Sequence, residues 1–97
     1  MRLKEGVDLT DVSWRMFHAA LVAETVYRKF GAEAVITSGR EGKHRQGSLH
    51  YKGLALDFRT SNVRHPIEVI AALKQALGPD YDAVLEPDHV HVEYDPA

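Results

Sequence analysis

The sequence contains no cysteine among its 97 residues. This absence excludes disulfide bonds, zinc sites built from thiolates and a thiol nucleophile. No apolar run approaches the ~20 residues that a membrane-spanning helix needs. The first residues also lack the apolar segment of a secretory signal peptide. We therefore expect a soluble protein that is made in the cytoplasm and has no membrane partner, and that reaches an external target only by another route, such as release on phage-type lysis.

A strong excess of charge of one sign is also missing, because the formal net charge is -2. Such a balance provides no general attraction to nucleic acid or to an anionic membrane. A local basic stretch contains Arg40, Lys43, Arg45 and Lys52. Four basic residues in one polar segment are typical of a solvated loop, so nucleic acid is not an expected partner.

The length of the chain predicts one domain, residues 1–97. Apolar periodicity predicts a first helix over residues 11–30, with Thr10 or Asp11 as its N-cap and with Trp14, Phe17 and Leu21 widening its apolar face. A second helix begins at His65-Pro66 and ends at Gly78-Pro79. Four strands are predicted, over residues 34–37, 54–59, 81–85 and 89–94. This order predicts an α+β fold in which a small, largely antiparallel sheet packs with two helices.

The last strand carries an unusual set of polar side chains. Residues two apart in a strand share a face, so His89, His91 and Glu93 should point the same way. Taken alone, two histidines in this pattern are more typical of a solvent-exposed edge strand than of a metal site. This segment indicates a metal site only when it is considered together with a second cluster of polar residues.

That second cluster lies around the strand at residues 54–59. Alternation places Leu54, Leu56 and Phe58 on one face and Asp57 on the other. Aspartate is depleted in strand interiors and needs a partner there. A salt bridge with Arg59 would supply one. Alternatively, His50, Asp57 and a C-terminal histidine would supply three zinc ligands and leave a fourth position open, as in catalytic rather than structural zinc sites.

The residues of both clusters match a known pattern. Ser48, His50, Gly53, Ala55 and Asp57 fit the motif S-x-H-x-x-G-x-A-x-D, and Asp88, His91 and Glu93 fit a second motif near the C-terminus. Together they resemble the zinc peptidases with the hedgehog/D-Ala-D-Ala-peptidase fold, which include D-alanyl-D-alanine carboxypeptidases and L-alanyl-D-glutamate endolysins. The resemblance extends from about Val35 to Tyr94.

The resemblance implies one zinc ion per chain, held by His50, Asp57 and His91. It implies that Asp88 is the general base and that Arg40 polarises the scissile carbonyl, with Arg45 as the alternative arginine. His89 and Ser48 are expected to contact substrate. The implied reaction is hydrolysis of peptidoglycan stem peptides, by carboxypeptidase or by L-alanyl-D-glutamate-type endopeptidase action.

Two alternatives stay open at this point. Glu86 and His89 have the same three-residue spacing as Asp88 and His91, so the base and the last ligand can be assigned in two ways. The same fold and zinc site would also suit a catalytically silent binding or structural module. An iron oxygenase is not expected, because the H-x-D pair of such enzymes is more closely spaced than His50 and Asp57.

Overall fold

The chain has the predicted α+β architecture, with both predicted helices and all four predicted strands. A computed structural model describes residues 1–96. The strands are β1 (Arg2–Leu3), β2 (Val35–Ser38), β3 (Ala55–Arg59), β4 (Tyr81–Leu85) and β5 (His89–Tyr94), and the helices are α1 (Trp14–Lys29) and α2 (Pro66–Leu77). Neither helix combines the length and the apolar character that crossing a membrane requires, and residues 1–96 form no other α-helix.

The five strands form one sheet in the order β1-β2-β3-β5-β4. The pairs β2–β3, β3–β5 and β5–β4 are antiparallel, whereas β1 pairs with β2 in parallel. The prediction of a largely antiparallel sheet is therefore corrected to a mixed one. Strand β1 has only two residues, which is too short for an alternation of apolar and polar side chains to be read from the sequence.

Alternation along β3 and β5 separates the core from the site. Leu56, Phe58, Val90 and Val92 are buried in the apolar core together with residues of both helices. The side chains between them, including Asp57 and His91, must therefore point to the opposite face. Burial of the apolar set thus holds the polar set in place on the other side of the same two strands.

Helix α1 begins later than predicted, and its exposed face is more apolar than expected. Asp11 has a left-handed backbone (φ 57°), so the chain still turns there, and Ser13 is the N-cap whose side chain accepts the N–H of Arg15 at 3.1 Å. Trp14 and Leu21 are 68% and 65% exposed, because the helix buries only the stripe that faces the sheet and α2. Trp14, Phe17 and Leu21 therefore extend the apolar face of α1 but add little to its buried stripe.

A short 3₁₀ helix, Leu49–Lys52, connects the long polar loop to β3 and carries His50. Ser48 caps it, since the Ser48 Oγ accepts the N–H of His50 at 3.2 Å. Gly53 ends it in a left-handed conformation (φ 71°), and a Cβ at this position would lie 2.5 Å from the carbonyl oxygen of Asp11. Both the backbone angle and the close approach require glycine here.

Candidate metal centre

Three metal-ligating side chains converge on one point of the sheet face opposite the core. His50 comes from the 3₁₀ helix, Asp57 from β3 and His91 from β5. The register of β3 and β5 places Asp57 directly opposite His91. His50 and Asp57 are 2% and 7% exposed, and His91 is half-buried. His91, the ligand predicted from the C-terminal segment, thus lies beside His50 and Asp57, whereas His89 is paired with Arg59 in the register.

The three donor atoms form a nearly equilateral triangle. His50 Nε2 lies 3.1 Å from Asp57 Oδ1 and 3.2 Å from His91 Nδ1, and the distance from His91 Nδ1 to Asp57 Oδ1 is 3.1 Å. Ligands bound tetrahedrally to zinc at about 2.0–2.1 Å lie roughly 3.3–3.4 Å from one another. The group could therefore hold a metal ion after a movement of a few tenths of an ångström.

The outer nitrogens of both imidazoles fix where the protons lie. His50 Nδ1 is 2.8 Å from the carbonyl oxygen of Gly39, and His91 Nε2 is 2.7 Å from a carboxylate oxygen of Glu93. Both partners accept hydrogen bonds only, so these two nitrogens carry protons and donate them. In the neutral tautomers, the inner nitrogens then present lone pairs to each other and to the Asp57 carboxylate. Three lone pairs at this separation require a cation, either a metal ion or added protons.

Electrostatics in the metal-free protein follow from this arrangement. Burial alone would raise the pKa of Asp57, but the hydrogen bonds from His50 and His91 outweigh burial and hold that pKa far below its ordinary value of 3.8. The hydrogen bond to Asp57 raises the pKa of His91 above 6.5, although burial opposes the change, and Glu93 adds to it. Without metal, protons therefore take over the neutralising role of a cation.

Opposite pH dependences are expected for the metal-free and zinc-loaded proteins. The depressed pKa of Asp57 contributes stability that is present above 3.8 and lost as the pH falls through the folded value. The raised pKa of His91 contributes stability that is complete below 6.5 and lost as the pH rises through the folded value. The chelated protein therefore has the full stabilising contributions of both Asp57 and His91 only between pH 3.8 and pH 6.5. Zinc needs neutral imidazoles, so its stabilising effect must grow as the pH rises.

Thermal unfolding with and without zinc tests this expectation at about pH 5.5 and about pH 7.5. Zinc at about 100 times its Kd should stabilise the fold by about 2.7 kcal/mol, or roughly 10–20 °C in Tm for a domain of this size. At the same total zinc concentration, the zinc-dependent rise in Tm should be smaller at about pH 5.5 than at about pH 7.5. An equal rise in Tm at the two pH values would show that zinc does not displace protons from the histidines.

A cavity of about 810 Å³ opens over the metal-ligating group. Besides His50, Asp57 and His91, its walls include His44, Arg45, Ser48, Glu86, His89 and Glu93. The His44 ring is stacked on the His50 ring, with centroids 3.9 Å apart and planes 8° apart. The predicted substrate contacts Ser48 and His89 thus both lie on the wall of this cavity.

The predicted base lies beside the site rather than over it. Asp88 has an 88% exposed side chain, and its Oδ1 is 2.6 Å from His89 Nδ1. This hydrogen bond is the largest cause that lowers the pKa of Asp88. The opposite nitrogen, His89 Nε2, is 3.6 Å from Asp57 Oδ2, so Asp88 reaches the metal-ligating group only through the His89 ring. Glu86, the alternative carboxylate, lines the cavity directly.

The two arginines occupy different positions. Arg40 Nη1 is 3.2 Å from the carbonyl oxygen of Thr10 and 3.5 Å from Asp11 Oδ2, on the side of the loop that faces the N-terminal segment. Its Nε is buried and has no hydrogen-bond partner within residues 1–96. Arg45 lines the cavity over the metal-ligating group. The arginine named as the alternative is thus the one next to the candidate site.

Sequence reasoning missed the groups that hold the histidines in place. The carbonyl of Gly39 and the ring of His44 both contact His50, and Tyr51 Oη accepts the backbone N–H of His44 at 2.6 Å. A backbone carbonyl leaves no residue-type signal, and the contacts of a long loop depend on its tertiary path. Glu93 is the exception, because its spacing from His91 had predicted that both side chains lie on one strand face.

Comparisons with known proteins add no family assignment to this geometry. No protein-family model matches the chain, and neither a curated protein nor a solved structure does. The resemblance to the zinc peptidases therefore depends on the motif residues alone.

Proposed function

We propose that this protein is a zinc-dependent peptidase that hydrolyses peptide bonds in the stem peptides of bacterial peptidoglycan. The observation that carries the proposal is the inward convergence of two imidazole lone pairs and one carboxylate at the floor of a cavity of about 810 Å³. The motif resemblance to the hedgehog/D-Ala-D-Ala-peptidase fold supplies the substrate class. Carboxypeptidase and L-alanyl-D-glutamate endopeptidase action require the same metal ligands and differ in the shape of the peptide site.

His50, Asp57 and His91 would hold the metal, and the cysteine-free donor set of two imidazoles and one carboxylate suits zinc. A zinc ion held there would supply Lewis acidity, which polarises a peptide carbonyl and lowers the pKa of water to about 7. The hydrogen bonds from His50 to Gly39 and from His91 to Glu93 keep both rings oriented toward the ion. One ion per chain is expected.

Proton transfer is the role proposed for Asp88 together with His89. Asp88 lies 2.6 Å from His89 Nδ1 and thereby aims Nε2 at the edge of the metal-ligating group. A ring held in this way can take a proton from water and return it to the leaving amine. Glu86 is a second candidate for this role, because its side chain lines the cavity.

A positive group is also needed where negative charge develops on the carbonyl oxygen. The family resemblance assigns this task to Arg40, although its guanidinium contacts Thr10 and Asp11. Position favours Arg45, which lines the cavity. We propose that Arg45 faces the substrate and that Arg40 anchors the loop to the N-terminal segment.

The direct test is zinc content and hydrolysis of purified muropeptides by the full chain. We expect about one zinc per chain, release of new amino groups from stem peptides, and loss of this release on chelation with recovery on adding zinc. An unrelated unfolded protein such as casein serves as the control substrate and should not be cleaved. A protein that binds zinc but cleaves no cell-wall peptide would instead be a catalytically silent zinc module of the same fold.

A further inference from the structure

We infer that Glu41 is a positioning residue for the metal centre and acts on His50 through the backbone of Gly39. The inference rests on the proposed metal site but not on the identity of the peptide that is cleaved. Glu41 lies in the loop between β2 and the 3₁₀ helix, nine residues before His50, and its side chain is half-buried. Neither of the motifs that suggested the zinc site includes this position.

One oxygen of Glu41 connects two backbone segments. Glu41 Oε1 accepts the N–H of Gly39 at 2.8 Å and the N–H of Asp8 at 2.8 Å. Burial alone would raise the pKa of Glu41, but hydrogen bonds, of which those from Asp8 and Gly39 have the largest effect, outweigh burial and lower the pKa. Glu41 is therefore a carboxylate at neutral pH and can only accept. Within residues 1–96 it forms no salt bridge, so these backbone N–H groups are its main partners.

Glu41 holds the peptide next to the one that orients His50, because the N–H of Gly39 belongs to the Ser38–Gly39 peptide and the carbonyl of Gly39 belongs to the Gly39–Arg40 peptide. The carbonyl of Gly39 accepts the Nδ1–H of His50 at 2.8 Å, and the N–H on the other side of the same peptide, that of Arg40, donates to the carbonyl of Asp8 at 2.9 Å. Asp8 thus donates to Glu41 and accepts from Arg40. The Gly39–Arg40 peptide is therefore held directly by the bond from Arg40 to Asp8, and Glu41 restrains it through the Cα of Gly39 and through Asp8. The carbonyl of this peptide is aimed at His50.

Close packing leaves this peptide little freedom to adjust. A Cβ on Gly39 would lie 2.3 Å from the carbonyl oxygen of Asp8, so the two backbones are in direct contact. Glu41 acts on His50 by a second route as well, because its own carbonyl oxygen is 2.8 Å from His44 Nε2 and the His44 ring is stacked on His50. His50 is thus held by the Gly39 carbonyl and by the stacked His44 ring, and both contacts depend on the backbone conformation around Glu41.

Zinc or cobalt affinity of the full chain, measured by competition with a chromophoric chelator at neutral pH, tests the inference. Glu41→Ala should weaken binding by about 10-fold, the lower end of the range for losing a group bonded directly to a metal-ligating histidine, because Glu41 acts through Gly39. Glu41→Gln retains an oxygen that can accept both N–H groups and should bind within about threefold of wild type. The exposed Glu5, which has no side-chain hydrogen bond or salt bridge in residues 1–96, provides the control Glu5→Ala.

The absorption spectrum of the cobalt-loaded protein separates positioning from a loss of folding. Glu41→Ala should change the visible Co²⁺ bands at saturating metal, whereas Glu41→Gln should restore the wild-type spectrum. Wild-type affinity in Glu41→Ala, or a Glu41→Gln variant as weak as Glu41→Ala, would overturn the inference. Failure of the peptidase proposal has a different signature, since the wild-type protein would then bind metal without cleaving stem peptides. A wild-type protein that binds no metal would overturn both.

Discussion

His50→Ala is expected to lower zinc affinity by more than about 100-fold, beyond the loss that follows from removing a supporting hydrogen bond. His50 supplies one of the three inward lone pairs, and its ring is 2% exposed, so water cannot take over the ligand position without rearrangement. Hydrolysis of muropeptides and the zinc-dependent rise in Tm should be lost together. Zinc stoichiometry after gel filtration and thermal unfolding with and without zinc provide the measurements.

Removing a buried ring also leaves a void and an unpaired Gly39 carbonyl, so a second variant is needed. Asp57→Asn keeps the volume of the side chain but removes the charge that attracts the metal, and it should also bind zinc at least about 100-fold more weakly. His65→Ala removes an exposed histidine that makes no side-chain capping bond and should behave as wild type. Retention of one tightly bound zinc in both His50→Ala and Asp57→Asn would refute the assignment of this metal centre.

Asp88→Ala is expected to lower kcat by about 100-fold or more while leaving zinc content unchanged, which is the range for loss of a group that handles protons. The structural reason is that Asp88 lies 2.6 Å from His89 Nδ1 and, within residues 1–96, its side chain forms no hydrogen bond or salt bridge with His50 or His91. Its side chain is 88% exposed, so truncation to alanine should not affect folding. The readouts are kcat and KM on a purified muropeptide and the metal content of the same preparation.

Glu86→Ala is the matched comparison, because Glu86 is also exposed and lies two residues earlier in the chain. We expect this variant to retain kcat within a few-fold. If Glu86→Ala loses activity and Asp88→Ala does not, the proton-transfer role belongs to the carboxylate that lines the cavity. If both variants retain zinc and full activity, neither residue is the base, and the mechanism proposed for the Asp88–His89 pair is wrong.

Local patterns predicted the elements that carry the site. Alternation in β3 predicted that Leu56 and Phe58 are buried and that Asp57 points away from them, and the structure confirms both. The bounds predicted for β4 and β5 are those observed. These predictions succeed because side-chain direction in a strand depends on neighbours in the sequence and on which residues prefer to leave water.

Local patterns failed where a distant segment decides the outcome. Trp14 and Leu21 were predicted to widen the apolar face of α1, but both side chains are largely exposed. Thr10 and Asp11 are both good N-cap types, yet Ser13 is the cap, because the chain first turns at Asp11 and packs against Gly53. Strand β1 exists only because it pairs with β2, more than thirty residues later.

The same distinction applies to the metal centre. The sequence by itself determined which residue types can serve as ligands and that His89, His91 and Glu93 share a strand face. The motif that includes Glu93 favoured His91 over His89 as the last ligand, although both lie on that face. The register of β3 and β5 places His91 opposite Asp57, and the path of the loop through Gly39 orients His50 toward them, so these three side chains form a group that could hold a metal ion. Spacing along a chain is a local property, whereas strand register and loop path result from burying the whole core at once.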